Sequence, residues 1–175
     1  LSQSFDTYPE RPMTAAGRLT YQPGRLEANG LLSFDDAELE GKVLRMHAQW
    51  LESDKADFRV RSAPDQAWGF EMHQATAMVD FQRNIGHFEL LGGDATLGFP
   101  RNEYEADMNQ ADWDIRKKLI SIQKGSGVEA RMTSTRASQE GLNFLAQRAE
   151  FFLSPSILEA YGVPNIDVAD SRVFP

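Results

Sequence analysis

Apolar and polar residues alternate along this chain in short runs, and four of the runs share a frame. They are Gly17-Arg18-Leu19-Thr20-Tyr21, Ala77-Met78-Val79-Asp80-Phe81, Ala111-Asp112-Trp113-Asp114-Ile115 and Ala149-Glu150-Phe151-Phe152-Leu153. Each reads small, any, apolar, any, apolar, the period-two pattern of a strand with one buried face. Each leads, after four intervening residues, into a second run: Leu26 and Ala28; Gly86, Phe88 and Leu90; Ile120 and Ile122; Leu158 and Ala160. Gln22-Pro23-Gly24, Arg83-Asn84 and Ser154-Pro155-Ser156 place turn-formers in three of the linkers. Each unit therefore predicts strand, tight turn, strand, recurring at irregular spacing.

A second recurrence relates Asp94-Ala95-Thr96-Leu97-Gly98-Phe99-Pro100 to Asp170-Ser171-Arg172-Val173-Phe174-Pro175, with one deletion. Asn29-Gly30 and Asp35-Asp36 add turns at the short intervals of an all-β chain. The expectation is a mainly β fold of stacked antiparallel hairpins, solenoid-like, with room for one short helix.

A helical reading competes. Met108, Ala111, Ile115, Leu119 and Ile122 fall on one helical stripe, as do Leu142, Leu145, Ala149 and Phe152. Leu39, Val43, Met46 and Trp50 make a third after an Asp36 cap, so residues 39–51 are the first candidate for the short helix. Pro9 and Pro12 favour extended backbone, so residues 1–13 read as an extended linker and 14–175 as a repetitive β domain. Residues 134–140 read as a loop. The chain begins on Leu1 and ends in a strand-like run, and it reads as a fragment of a longer protein.

Composition narrows the function classes. Hydrophobic residues make up 41% and charged ones 25%, as in folded chains rather than disordered ones. The net charge of −8 would repel a phosphate backbone, which argues against nucleic acid as a partner. Cysteine is absent, which excludes disulfides and thiolate metal sites.

The segment Leu19-Thr20-Tyr21-Gln22-Pro23-Gly24-Arg25-Leu26-Glu27-Ala28-Asn29-Gly30 resembles the repeat of OstA-like lipopolysaccharide-transport domains, where a strand and turn lead into Leu-x-Ala-x-Gly. Residues 48–58 are similar to the strands between such units, and residues 166–175 resemble a segment of large bacterial envelope proteins. Units two and three depart from the pattern, with Phe88 and Leu90 or Ile122 and Lys124 where the family has Ala-x-Gly. The resemblance implies a folded-over stack of antiparallel strands, a β-taco or β-jellyroll. It further implies a periplasmic or outer-envelope location, a transport or scaffolding role, and no catalytic residues or cofactor.

The candidate chemistry is thin. His47, His73 and His87 never sit at ligand spacing, so no metal site is expected. Asp35-Asp36, Asp112/Asp114 and Asp167/Asp170 are carboxylate pairs of the kind a glycosidase or lyase needs across a cleft, yet Asp112 and Asp114 hold the polar positions of a strand. The frame aromatics read as core packing or as a lipid-lined groove. On the second reading the groove residues are Leu19, Tyr21, Val79, Phe81, Trp113, Ile115, Phe151 and Leu153. The expectation is a non-enzymatic structural or transport module with an acyl chain or lipid in an apolar groove. Its partners would be other segments of the parent chain or envelope proteins, with end-to-end self-association through open strands. A carbohydrate-binding or carbohydrate-active β-solenoid and an α+β protein-binding module are the alternatives.

Overall fold

The computed structural model describes residues 2–8, 11–63, 65–92, 97–125, 127–139, 141–168 and 171–174. Among them nearly everything outside the turns is strand. The helical pieces are two single 3-10 turns, at Pro100–Asn102 and Ala137–Gln139. The fold is mainly β and antiparallel.

Strands β1 (Ser2–Tyr8), β2 (Arg11–Gln22), β3 (Arg25–Phe34), β4 (Ala37–Met46), β5 (Trp50–Ser62), β6 (Ala67–Asp80) and β7 (Ile85–Leu90) form a meander, each paired with the one before. At β6 the sheet forks. Its second half, from Ala75 to Asp80, pairs with β7. Beyond β7 come β10 (Gln110–Asp114), β11 (Leu119–Gln123), β14 (Arg148–Phe152) and β15 (Ile157–Tyr161). The first half of β6, at Glu71 and Met72, pairs instead with β8 (Leu97–Phe99). From there the second branch runs through β9 (Tyr104–Ala106), β12 (Ala130–Ser134), β13 (Asn143–Ala146), β16 (Ile166–Val168) and β17 (Ser171–Val173). Gln74, in the left-handed region at φ 55°, marks the point where β6 changes neighbours.

Past the fork the chain lays down hairpins alternately: β8–β9 on one branch, β10–β11 on the other, then β12–β13, β14–β15 and β16–β17. The inner faces of the branches meet. Phe99 of β8 and Phe151 of β14 stand 5.6 Å apart, and the meander curls over the same core, where Phe58 of β5 stacks on Phe88 of β7 at 3.8 Å. Phe34, Phe58, Phe70, Phe88, Phe99 and Phe151 are all fully buried.

All four units nominated from the sequence are hairpins: β2–β3, β6–β7, β10–β11 and β14–β15. Their registers differ. In the last three, Asp80 faces Ile85, Asp114 faces Leu119 and Phe152 faces Ile157, which leaves four-residue turns. In the first, Gln22 faces Arg25 across the two-residue turn Pro23-Gly24. A single row thus crosses the sheet through Tyr21, Leu26, Met46, Leu51, Val79, Gly86, Trp113, Ile120, Phe151 and Leu158. Tyr21 aligns with Val79, and not with Phe81 as the linear frame has it. Gly17 faces Gly30, both with positive φ. A Cβ on Gly17 would lie 2.1 Å from the Asn29 carbonyl oxygen, and one on Gly30 2.3 Å from that of Ala16. Only glycine fits that close approach.

None of the three helical stripes is a helix. Residues 108–122 are two strands reversed by a turn, and 142–152 are β13 and β14. In the first, alternation on either side of a reversal imitates a 3.6-residue period; in the second, Gln147 interrupts the alternation where the chain passes from one branch to the other. Residues 39–51, the candidate short helix, cover β4 and the start of β5. There a register shift between β3 and β4 breaks the alternation, and Val43 of the supposed apolar stripe is 42% exposed.

Phe151→Ala is expected to cost about 3–5 kcal/mol in urea denaturation, as a buried aromatic truncation between two sheets. Tyr21→Ala, from the exposed end of the same row, should change stability by less than about 0.5 kcal/mol. Comparable losses at the two positions would break the assigned row.

Candidate functional site

The eight groove candidates separate into three groups. Val79, Trp113 and Phe151 lie on the inner row and are buried at 0%, 2% and 0% exposure, packed against other side chains. Phe81, Ile115 and Leu153 open the three four-residue turns, one step further out. Leu19 and Tyr21 are 39% and 77% exposed on the β2–β3 hairpin, where β2 past Ala16 has no outer neighbour among the described residues. Leu19 and Tyr21 therefore do not line an interior shared with the other six. The interior along the row is filled by protein, so it holds no continuous groove.

The turns carrying Phe81, Ile115 and Leu153 stack into one end of the fold. Asp80 accepts the Arg83 amide at 2.8 Å and Asp114 the Lys117 amide at 2.9 Å, the same side-chain brace used twice. The Lys117 N–H, first among the causes, holds the Asp114 carboxyl below its ordinary range. Asn84, Lys118 and Ser156 take the left-handed position of each turn. The Ile115 amide donates to the Asn84 carbonyl at 3.0 Å and the Leu153 amide to that of Lys118 at 2.9 Å, tying each turn to the next.

These turns wall a cavity of about 420 Å³ together with Arg11 and the Asp35-Asp36 turn. Trp113, Ile115 and Leu153 form its apolar side. Arg11 anchors one rim: Nε lies 3.1 Å from Asp35, Nη2 donates to Asn84 Oδ1 at 2.7 Å, and the guanidinium sits over the Phe81 ring. Lys118 reaches Asp36 at 3.5 Å.

A second concavity lies where the two branches splay. Two hollows of about 190 and 450 Å³ share Phe144 and Ala160. Leu158 and Ala160 of β15 face Tyr104 of β9, Met132 of β12, Phe144 of β13 and Ile166 of β16 across them. Burial fades toward this end. Met132 is fully buried, while Phe144, Leu158, Ala160 and Ile166 are only half-buried. Tyr161 edges the opening, its hydroxyl donating to Glu159 at 2.5 Å and interacting with Glu150 at 3.2 Å.

The remaining nominated polar residues are scattered. His87 pairs with Asp112 at 2.7 Å on the outer surface, His73 lies between Asp57 and Glu71, and His47 stacks on Trp50. No group of metal-ligating side chains occurs among the described residues. Asp35 and Asp36 are engaged by cations and Asp114 by its turn. Asp170 lies outside the described residues. The splayed cleft lies outside the four-unit frame, because β8–β9 and β12–β13 are hairpins that the frame does not include. The available signal was the alternation of Ala130, Met132 and Ser134 with Phe144 and Ala146.

The Tyr161 phenol is pushed up to about 12, by its bond to Glu159 first, then by partial desolvation and Glu150. A raised phenol favours the neutral form in the fold. Its contribution is fully present below the ordinary value of 10 and is lost as pH rises through about 12. In an ultraviolet titration at 295 nm, Tyr161→Phe should remove absorbance that develops near pH 12. Compared with family models, curated proteins and solved structures, the chain finds no match in any of the three.

Proposed function

We propose that this chain is a non-enzymatic structural or transport module that holds an acyl chain or similar apolar ligand in the cleft between its splayed branches. The observation behind this reading is the pair of hollows joined at Phe144 and Ala160, lined from both sheets by half-buried apolar side chains. Apolar concavities of a few hundred Å³ with few polar groups are the ordinary form of small-ligand sites. The ligand lies at the open end and not along the inner row, which is filled. The cell-envelope setting, and envelope proteins or other segments of a longer chain as partners, rest on the resemblance to OstA-like repeats.

Displacement of a fluorescent fatty-acid analogue by saturated fatty acids tests the ligand. Burial of each added methylene is worth about 0.8 kcal/mol, so affinity should rise up to about fourfold per carbon until the cleft is full. Ala160→Trp, which fills the space shared by the two hollows, should weaken binding at least tenfold. Absence of displacement, or equal affinity in the filled variant, would overturn the reading.

The scaffold half of the proposal is supported by open strand edges. Among the described residues β15 pairs only with β14, and its free edge exposes Ile157 at 45%. Such edges add strands from other chains. Sedimentation should show concentration-dependent association that Leu158→Pro, which removes a backbone donor from β15, reduces. A strict monomer at all concentrations would count against it.

A further inference from the structure

Two residues that line the cavity at the turn end carry buried hydrogen-bond donors without partners. Trp113 lines it and is 2% exposed, and its indole Nε1 is buried without an acceptor. Arg11, on the same wall, has Nη1 buried and unpartnered although its Nε and Nη2 are engaged. Arg116, exposed at the rim, makes no side-chain hydrogen bond or ion pair with any described residue. The acceptors on the wall already have cationic partners: Asp35 pairs with Arg11, Asp36 with Lys118, and the Asn84 side-chain oxygen accepts from Arg11. Buried donors in native proteins find partners, and an isolated indole N–H can only donate.

We propose that this cavity binds a small organic carboxylate, with the carboxylate among Arg11, Arg116 and the Trp113 indole N–H and the apolar part against Ile115 and Leu153. A carboxylate is acceptor-only and suits guanidinium forks. Local charge also selects an anion, since Arg11, Arg116 and Lys118 outnumber Asp35 and Asp36. That excess stands out on a chain whose net charge is −8. The volume of about 420 Å³ falls in the range of small-molecule sites, roughly 300–1,000 Å³. The site is separate from the splayed cleft and shares no lining residue with it.

Benzoate is the probe and benzyl alcohol its neutral counterpart. In proton–nitrogen spectra of the labelled protein, loss of a signal in Trp113→Phe identifies the Trp113 indole among those of Trp50, Trp68 and Trp113. Benzoate should move the Trp113 indole signal saturably and downfield, and benzyl alcohol should bind at least tenfold more weakly. Arg116→Gln, at an exposed position, should weaken benzoate at least threefold. Arg18→Gln, which removes the same charge from the far hairpin, should not. Equal responses to the two probes, shifts confined to Trp50 and Trp68, or no saturable shift would each overturn the assignment. Fatty-acid binding in the splayed cleft is read by Ala160→Trp, so either site can fail without the other.

Discussion

β6 has one free edge and gives it to two neighbours. Its other edge is bonded to β5 along nearly its whole length, so the strand cannot simply break. Instead it bends. Register shifts between Ser53 and Phe58 let β5 follow, and left-handed Gln74, whose amide donates to Asp57 at 2.8 Å, turns the edge from β8 toward β7. Two sheets grow from that bend, and every later hairpin is committed to one or the other. The inner faces then meet because they share a common root.

Large and small residues share the interior unevenly. Gly86 sits on the inner row between Val79 and Trp113, where an added Cβ would lie 2.8 Å from Phe88 and 3.4 Å from Trp113. Gly69 makes the same allowance for Phe151, at 2.8 Å from the ring. These absences of side chain let aromatic rings from successive strands and opposite sheets interlock, which leaves no lumen along the row. The hollows beside the row lie at its two ends: among the turns, where charged residues replace rings, and at β15 and β16, where no further strand among the described residues covers the inner face.

Much of this was legible in the residues. Val79, Trp113 and Phe151 were placed on a buried strand face by alternation alone, and the turns at 81–84, 115–118 and 153–156 by the gap between paired runs. The two-residue offset at Tyr21 was hidden because Pro23-Gly24 makes a shorter turn while the spacing of apolar residues stays the same. Exposure of Leu19 and Tyr21 depends on β2 overhanging its neighbour, a matter of partner length that no local pattern encodes. The helical stripes misled where a turn or a shifted register interrupted the period. The turn-end cavity contains three of the groove candidates, Trp113, Ile115 and Leu153, but its polar wall draws on Arg11 and on Asp35 and Asp36, distant in sequence and brought near only by the curling meander.

Alternating deposition of hairpins makes the architecture incremental. Frame starts at Ala77, Ala111 and Ala149 recur because one turn of the pattern supplies a hairpin to each branch before returning to the first. Duplicating such a unit would lengthen both sheets together by two strand spacings, about 9–10 Å, and leave every older pairing untouched. Reach, in a protein of this construction, would be adjustable in whole steps, and evolution could set a span by counting copies and not by redesigning the core.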